Sequence, residues 1–163
     1  MLPSLEALEL RQINVEKIWP DQLSAAMFPC FQNLTRLILW ICPKLKYVFS
    51  SSMLRSFEHL QHLEIACCER LQEIISKGGT DDQVTPNFVF PGLTTLRLIG
   101  LPKLKSLYPG MHTSEWPALK VLNVLACDHV TVFASELFHF CKIGEENKLD
   151  TPARQSLFLL EKV

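Results

Sequence analysis

The sequence predicts a solenoid of the α/β type, in which short parallel strands line one face and irregular or short-helix segments return the chain between them. The main observation is an apolar frame, Leu-x-x-Leu-x-aliphatic, that occurs five times along the chain. Its first leucines, here called the anchors, lie roughly 26 to 33 residues apart, close to the period of about 20–29 that is typical of stacked repeats. The anchors are Leu5, Leu34, Leu60, Leu93 and Leu119.

The positions after each anchor alternate as a half-buried strand requires. Apolar residues recur three and five positions after the anchor, so they share one side of the strand, and a small or apolar residue follows eight positions after it. This is the leucine-rich-repeat pattern L-x-x-L-x-L-x-x-[N/C]. One unit cannot bury its own leucines, but stacked units can. We therefore expect one interior column formed by Leu37, Leu63, Leu96 and Leu122.

The segments around the frames predict how the chain enters and leaves each strand. An aromatic or Pro-containing lead, such as Phe90-Pro91, precedes each frame and favours extended entry. Apolar residues eleven and fourteen positions after the anchor predict a buried return, although Val15 and Ile18 of the first repeat fall in a different register. Residues 50–57 predict a short helical turn with a serine at its cap. The Gly-rich, acidic insertion 76–83 predicts a surface loop.

The predicted domain organisation is one leucine-rich-repeat array over residues 1–163, with about five repeats anchored near 5, 34, 60, 93 and 119. Residues 134–163 are predicted as a partial repeat or tail, with a short helix at 135–142 and a polar loop at 143–156. A solenoid needs a polar terminal unit at each end, and neither end shows one. We therefore expect a fragment of a longer array.

Composition excludes several classes of protein. Hydrophobic residues make up 48% of the chain and charged residues 20%, so a buried core is expected and a disordered chain is not. The net charge of -1 provides no long-range attraction to nucleic acid. No apolar run approaches the roughly 18 residues of a membrane span, and the first residues lack the basic start of a secretion signal.

The six cysteines predict packed thiols rather than disulfides. Cys42, Cys68 and Cys127 share one repeat position, eight residues after the anchor, where a small hydrophobic residue turns the chain out of the strand. Without a secretory context, free thiols are the expected state, and they favour a cytoplasmic location.

No arrangement of residues predicts chemistry. The motifs of phosphate-binding loops, zinc proteases and serine hydrolases are absent from the sequence. His59, His62, Cys67 and Cys68 lie close in sequence, but the two histidines would point to opposite sides of a strand and the cysteine pair lacks metal-ligand spacing. We therefore expect no enzyme activity, no cofactor and no metal.

The predicted concave face carries the candidate binding residues. Side chains two, four and six positions after each anchor should point outward, and the third of these rows is unusually apolar. Exposed apolar side chains surrounded by charged ones are typical of protein-binding hot spots. Two alternatives are that neighbouring loops cover these side chains, or that they are merely tolerated on the surface. Fifteen positions are fewer than the roughly 20–30 residues of a standard interface, which again suits a longer parent array. The predicted partner-binding residues are Arg11, Arg36, Ile38, Trp40, Glu64, Arg97, Ile99 and Leu125.

A second repeated pattern lies on the return side. Residues 43–46 and 102–105 both have the sequence Pro-Lys-Leu-Lys. The four lysines flank buried leucines, so a solvated face is the simpler interpretation and an acidic partner or domain is the alternative.

Two stretches of the sequence resemble a known family. They run from Leu34-Thr35-Arg36-Leu37 to Phe49, and from Phe57 through Leu60-Gln61-His62-Leu63 to Ile75. With the Phe-Pro-x-Leu leads, they resemble the C-terminal leucine-rich-repeat region of plant intracellular disease resistance proteins of the CC-NB-ARC-LRR type. The likeness covers nearly the whole chain, including the closing residues 155–163.

The resemblance implies a role in plant defence. Repeats of this family recognise a pathogen effector, or a host protein that the effector modifies, and they hold the NB-ARC nucleotide switch off in the parent receptor. The implied partners are therefore proteins. The sequence pattern leaves a second class open, since a leucine-rich-repeat substrate adaptor of a ubiquitin ligase would use the same architecture.

Overall fold

The computed structural model describes residues 5–19, 31–77 and 85–130. Within them a five-stranded parallel sheet has one strand from each of five repeats, in the order β1-β2-β4-β7-β9. These strands are β1 (Ala7–Arg11), β2 (Arg36–Trp40), β4 (His62–Ala66), β7 (Thr95–Ile99) and β9 (Val121–Leu125). Neighbours in the sheet are neighbours in repeat order, as a solenoid requires, so the predicted leucine-rich-repeat solenoid is confirmed.

The interior column forms as predicted. Leu37 pairs with Leu63, Leu63 with Leu96 and Leu96 with Leu122. Their exposed fractions are 0%, 1%, 0% and 5%, so stacking removes from water the leucines that a single repeat would leave exposed. The second interior column is also buried, and it consists of Leu39, Ile65, Leu98 and Val124.

Each described lead forms a turn before its strand. The N–H of Leu60 donates to the carbonyl of Phe57 at 3.1 Å, and Leu34, Leu93 and Leu119 do the same with the aromatic residue three positions earlier. The turn points the aromatic ring inward: Phe90 and Trp116 stack with their ring centroids 4.3 Å apart. The aromatic leads of neighbouring repeats therefore pack in pairs, Phe90 with Trp116 and Phe31 with Phe57.

A left-handed residue ends each strand of the sheet. Its φ lies between 55° and 61° in all five repeats, and only Gly100 is a glycine. In this conformation the backbone turns while its N–H still reaches the next repeat, as when Ile41 donates to the Ala66 carbonyl at 2.9 Å. The left-handed conformation costs a residue with a Cβ about 1–2 kcal/mol, and β-branched Ile41 is the residue least suited to it. The column is Gln12, Ile41, Cys67, Gly100 and Ala126.

The thiol position lies immediately after this turn. Cys42, Cys68 and Cys127 are buried, and the four cysteines in the described residues are free, as predicted. The Cys68 thiol donates to the Ala66 carbonyl at 3.5 Å, and that of Cys127 donates to the Leu125 carbonyl at 3.4 Å. Burial raises the pKa of Cys68 from 9.0 to about 12 and that of Cys127 to about 11. Above a pH of about 9.0 these thiols ionise in the unfolded chain but stay protonated in the folded one, so the free energy of unfolding should fall as the pH rises.

Alkylation should distinguish these thiols from Cys67, the neighbour of Cys68. Cys67 is exposed, whereas Cys68 and Cys127 are buried with raised pKa values. We expect iodoacetamide at about pH 8 to modify Cys67 first and Cys68 and Cys127 about a hundredfold more slowly, because the thiolate is the reactive form. Peptide mapping by mass spectrometry assigns each site, and unfolding in urea should equalise the rates. Equal rates in the folded protein would contradict the packed position of these thiols.

The return segments are mostly irregular. The predicted apolar residues that the structure describes are buried, and a 3₁₀ helix covers Ser51–Phe57, where a helical turn was predicted. Ser50 occupies its N-cap, as predicted, but makes no side-chain capping bond; its hydroxyl lies 3.3 Å from the Ser52 hydroxyl. The buried return residues are Leu45, Val48, Leu71, Ile74, Leu104, Leu107 and Val130.

Two small parallel sheets connect neighbouring returns. β3 (Phe49–Ser50) pairs with β5 (Ile75–Ser76), and β6 (Asn87–Val89) pairs with β8 (Thr113–Glu115). The predicted loop 76–83 therefore begins later than expected, because Ser76 belongs to β5 and pairs with Ser50 of β3. The rest of that insertion from residue 78, and the predicted tail 134–163 with its helix and loop, lie outside the described residues.

The first repeat differs from the prediction. Val15 and Ile18 are only half-buried, and the residue that enters the core is Trp19, 5% exposed. Its indole N–H donates to the Val48 carbonyl at 2.8 Å, and its ring lies 4.8 Å from that of Phe31 and 5.2 Å from that of Phe57. An aromatic cluster therefore joins the first repeat to the second and third.

Candidate functional site

The candidate site is the side of the five-stranded sheet opposite the leucine columns, here called the open face. It has three rows, formed by the residues two, four and six positions after each anchor, and the strand register places equivalent residues side by side. All eight predicted partner-binding residues belong to these rows. The rows are Ala7, Arg36, His62, Thr95 and Val121; Glu9, Ile38, Glu64, Arg97 and Asn123; and Arg11, Trp40, Ala66, Ile99 and Leu125.

The eight residues differ in accessibility. Arg11 and Arg36 are exposed, and Leu125 is 48% exposed. Trp40, Arg97 and Ile99 are half-buried. These six are accessible to a partner.

Ile38 and Glu64 lie in the floor of the open face instead. They are only 3% and 7% exposed, although strand alternation predicts that they point to solvent. For Glu64, Trp40 accounts for part of this: Ala66 lies opposite Trp40 on the next strand and has no side chain beyond Cβ, and the indole reaches the Glu64 carboxylate. Ile38 and Glu64 therefore support the face rather than contact a partner directly.

Glu64 is the hub of a hydrogen-bonded cluster. Its Oε2 accepts the indole N–H of Trp40 at 2.7 Å, and its Oε1 lies 3.4 Å from Nε2 of His62. The same oxygen lies 3.8 Å from an Nη atom of Arg97. These partners satisfy the hydrogen-bonding capacity of the buried carboxyl group, and the cluster fixes the orientation of Trp40.

Arg11 covers the other side of the indole. Its guanidinium carbon lies 4.5 Å from the centre of the Trp40 ring and its Nη2 lies 3.2 Å from Oε1 of Glu9. A cation over an indole stabilises an exposed site by about 0.5–1 kcal/mol. Trp40 is therefore held from two sides and offers a preorganised aromatic surface.

The structure also identifies a residue that the sequence argument missed. Ile41 follows Trp40 at the left-handed position and is 42% exposed. It adds apolar surface at the carboxyl end of β2. The sequence could have identified Ile41 by its position seven residues after the anchor, between the strand and the thiol position, where the turn exposes the side chain.

The four lysines of the return side are exposed, away from the open face. Nζ of Lys46 lies 3.2 Å from Oε1 of Glu16. Burial raises the pKa of Glu73, and the charge of Lys105 opposes that rise. Glu16 and Glu73 therefore balance part of the positive charge of the four lysines. An acidic partner for these lysines stays a prediction.

No group of three or more potential metal ligands occurs in residues 5–19, 31–77 and 85–130. Of the residues considered above for zinc, His59 lies 3.7 Å from Glu58, and His62 is on the open face while Cys68 is buried in the core. In the same part of the chain, no helix has the length and apolar character needed to cross a membrane.

Comparison with known proteins identifies the family. The family described as plant disease resistance protein RPS2-like, leucine-rich repeats, matches residues 4–139. The chain is 30% identical over 129 residues to an Arabidopsis thaliana protein named "Probable disease resistance protein At4g27220", covering 78% of this chain and 14% of that protein. It is 29% identical over 121 residues to disease resistance protein RPS5 of Arabidopsis thaliana, covering 73% of this chain and 13% of the relative.

The matched region is thus a small part of each relative, about one seventh of its length. No solved structure matches the chain significantly. The family match covers most of the chain, and the stacked sheet of parallel strands agrees with its leucine-rich repeats. The chain belongs to the leucine-rich-repeat family of RPS2-like plant disease resistance proteins.

Proposed function

We propose that this chain is the protein-recognition module of a plant immune receptor, and that it binds a pathogen effector or a guarded host protein through the open face, the predicted concave face. The single observation that supports this most is the fixed indole of Trp40, held by Glu64 and Arg11 on a face that otherwise points to solvent. A rigid aromatic residue with arginines around it is the usual centre of a protein interface. The resemblance to receptors with an NB-ARC domain supplies the biological setting.

The proposed mechanism is binding without a chemical step. The partner would cover Trp40, Ile99 and Leu125 and bring its acceptors to Arg11, Arg36 and Arg97. In the parent receptor, repeats of this family also contact the NB-ARC domain, and we propose that this chain does so within a cytoplasmic receptor. Occupation of the open face would then change that contact and release the switch.

Capture from plant tissue tests the proposal. The purified chain, immobilised, is incubated with extracts of infected and uninfected leaves, and each captured protein is then produced and tested for direct binding. We expect the double change Trp40→Ala and Arg97→Ala to weaken direct binding by about tenfold or more, because it removes an aromatic anchor and a guanidinium. Thermal melting checks that each variant is folded.

The matched control is Lys103→Ala with Lys105→Ala, which changes two exposed residues away from the open face. It should leave binding unchanged. Leu125→Asp provides a second open-face variant at an exposed position, which should also lose binding. A direct partner that is insensitive to both open-face variants would contradict the assignment, and recovery of ubiquitin-ligase subunits as direct partners would favour the adaptor function instead.

A further inference from the structure

The charges of the open face are not balanced at its accessible surface. Glu64 carries one of the two negative charges of the rows, but only 9% of its side chain is exposed. Glu9 carries the other and is paired with Arg11. Arg36 is exposed and forms no ion pair with any residue that the structure describes. An approaching partner therefore meets three guanidinium groups and one accessible carboxylate.

Arg97 has unused hydrogen-bonding capacity. Its nearest anionic contact, Oε1 of Glu64, is 3.8 Å away, which is too long for a hydrogen bond. Its Nε is buried and has no hydrogen-bond partner. The side chain is still 41% exposed, so the remaining N–H groups can reach solvent. A guanidinium in this state can donate two parallel hydrogen bonds to a carboxylate of a partner protein.

An apolar site lies next to Arg97 along the same strand. Ile99 is two residues further on β7, on the same side of the sheet, and it pairs with Leu125 on β9. Leu125 is 48% exposed. Two residues along a strand span about 7 Å, so the guanidinium and the aliphatic pair have the spacing of alternate side chains in an extended peptide.

We propose that the open face takes an extended acidic segment of a partner protein, with a carboxylate on Arg97 and, two residues away, an aliphatic side chain on Ile99 and Leu125. This inference rests on the proposed function, and it adds the chemistry of the partner. Arg36 contributes a further positive charge two strands from Arg97. Binding by this mechanism weakens with added salt, because the accessible charges are screened.

A phage-displayed library of random peptides tests the chemistry of the partner directly. An extended peptide of about twelve residues is longer than the five-residue strand β7, so it can cover Arg97 and Ile99 together. The library is selected on the wild-type chain, and enriched peptides are synthesised for affinity measurements. We expect the enriched sequences to share Asp or Glu, any residue, then Leu, Ile or Val, in either direction.

Charge reversal then locates the binding site. Arg97→Glu should weaken binding of such a peptide by about tenfold or more, and Arg36→Glu should weaken it by about threefold to tenfold. Arg36 is exposed, so its variant keeps the test valid if Arg97→Glu fails to fold. Lys103→Glu, on the return side, is the matched control with the same charge change and should have no effect.

The outcomes separate this inference from the proposed function. Enriched peptides without carboxylates that still lose binding in the Trp40→Ala variant would overturn the acidic partner but leave recognition by the open face intact. Acidic peptides weakened equally by Lys103→Glu and Arg97→Glu would overturn the site on Arg97. A selection that enriches no peptide would overturn the extended segment as the occupant.

Discussion

Replacing Leu63 with alanine should lower the free energy of unfolding by about 3–5 kcal/mol. Leu63 lies on β4, the middle strand of the five, with Leu37 on one side and Leu96 on the other, and it is 1% exposed. Because both neighbouring repeats pack on the same side chain, little relaxation can fill the cavity. In a solenoid, such a loss also weakens the contacts that couple one repeat to the next.

Equilibrium unfolding in urea, followed by circular dichroism, measures this loss. The matched control is Leu125→Ala, the same truncation at a leucine of the same sheet that is 48% exposed, and it should change stability by less than about 0.5 kcal/mol. Similar losses for the two variants would mean that the leucine column does not carry the stability of the array.

Replacing Trp19 with alanine should cost about 3–5 kcal/mol, because the change removes the largest side chain of the aromatic cluster. The indole is 5% exposed and lies against Phe31 and Phe57. Trp19→Phe keeps most of the ring contacts but removes the N–H that the Val48 carbonyl accepts at 2.8 Å. We expect this milder change to cost about 1–3 kcal/mol, since it leaves a buried acceptor without a partner.

The same urea titration measures both Trp19 variants. Met111→Ala is the control, because Met111 is 84% exposed and its truncation should be nearly neutral. The order Ala, then Phe, then the control is the test: if Trp19→Phe is as neutral as the control, the hydrogen bond to Val48 contributes nothing to stability. If Trp19→Ala is also neutral, the cluster does not hold the first repeat to its neighbours.

The two positions show where sequence reasoning succeeds and where it stops. Leu63 could be assigned from the period alone, because equivalent residues of successive repeats must align when the repeats stack. Trp19 lies fourteen residues after Leu5, the position of Val48 in the next repeat, so the same period marks it for burial, although Val15 and Ile18 nearby suggested another register. The period aligns Trp19 with Val48. It does not show that the indole N–H donates to the Val48 carbonyl or that the ring meets Phe31 and Phe57.

The candidate site divides in the same way. Membership of the open face followed from strand alternation, and all eight residues lie on it. Their accessibility did not follow: Ile38 and Glu64 are buried, and the indole of Trp40 reaches Glu64 past the small side chain of Ala66. Alternation gives the side of the sheet toward which a residue points, but the sizes of its neighbours set how much of it water can reach.

The amino-acid sequence by itself determined the solenoid, the order of its strands, the leucine columns and the buried thiol position, because each of these depends only on a repeated spacing of apolar residues. The tertiary structure alone decided the aromatic cluster around Trp19, the network around Glu64 and the unused donors of Arg97. Each of these depends on the sizes and charges of side chains that come from different repeats and meet only in the folded chain. The period of the sequence aligns the repeats but does not specify those contacts.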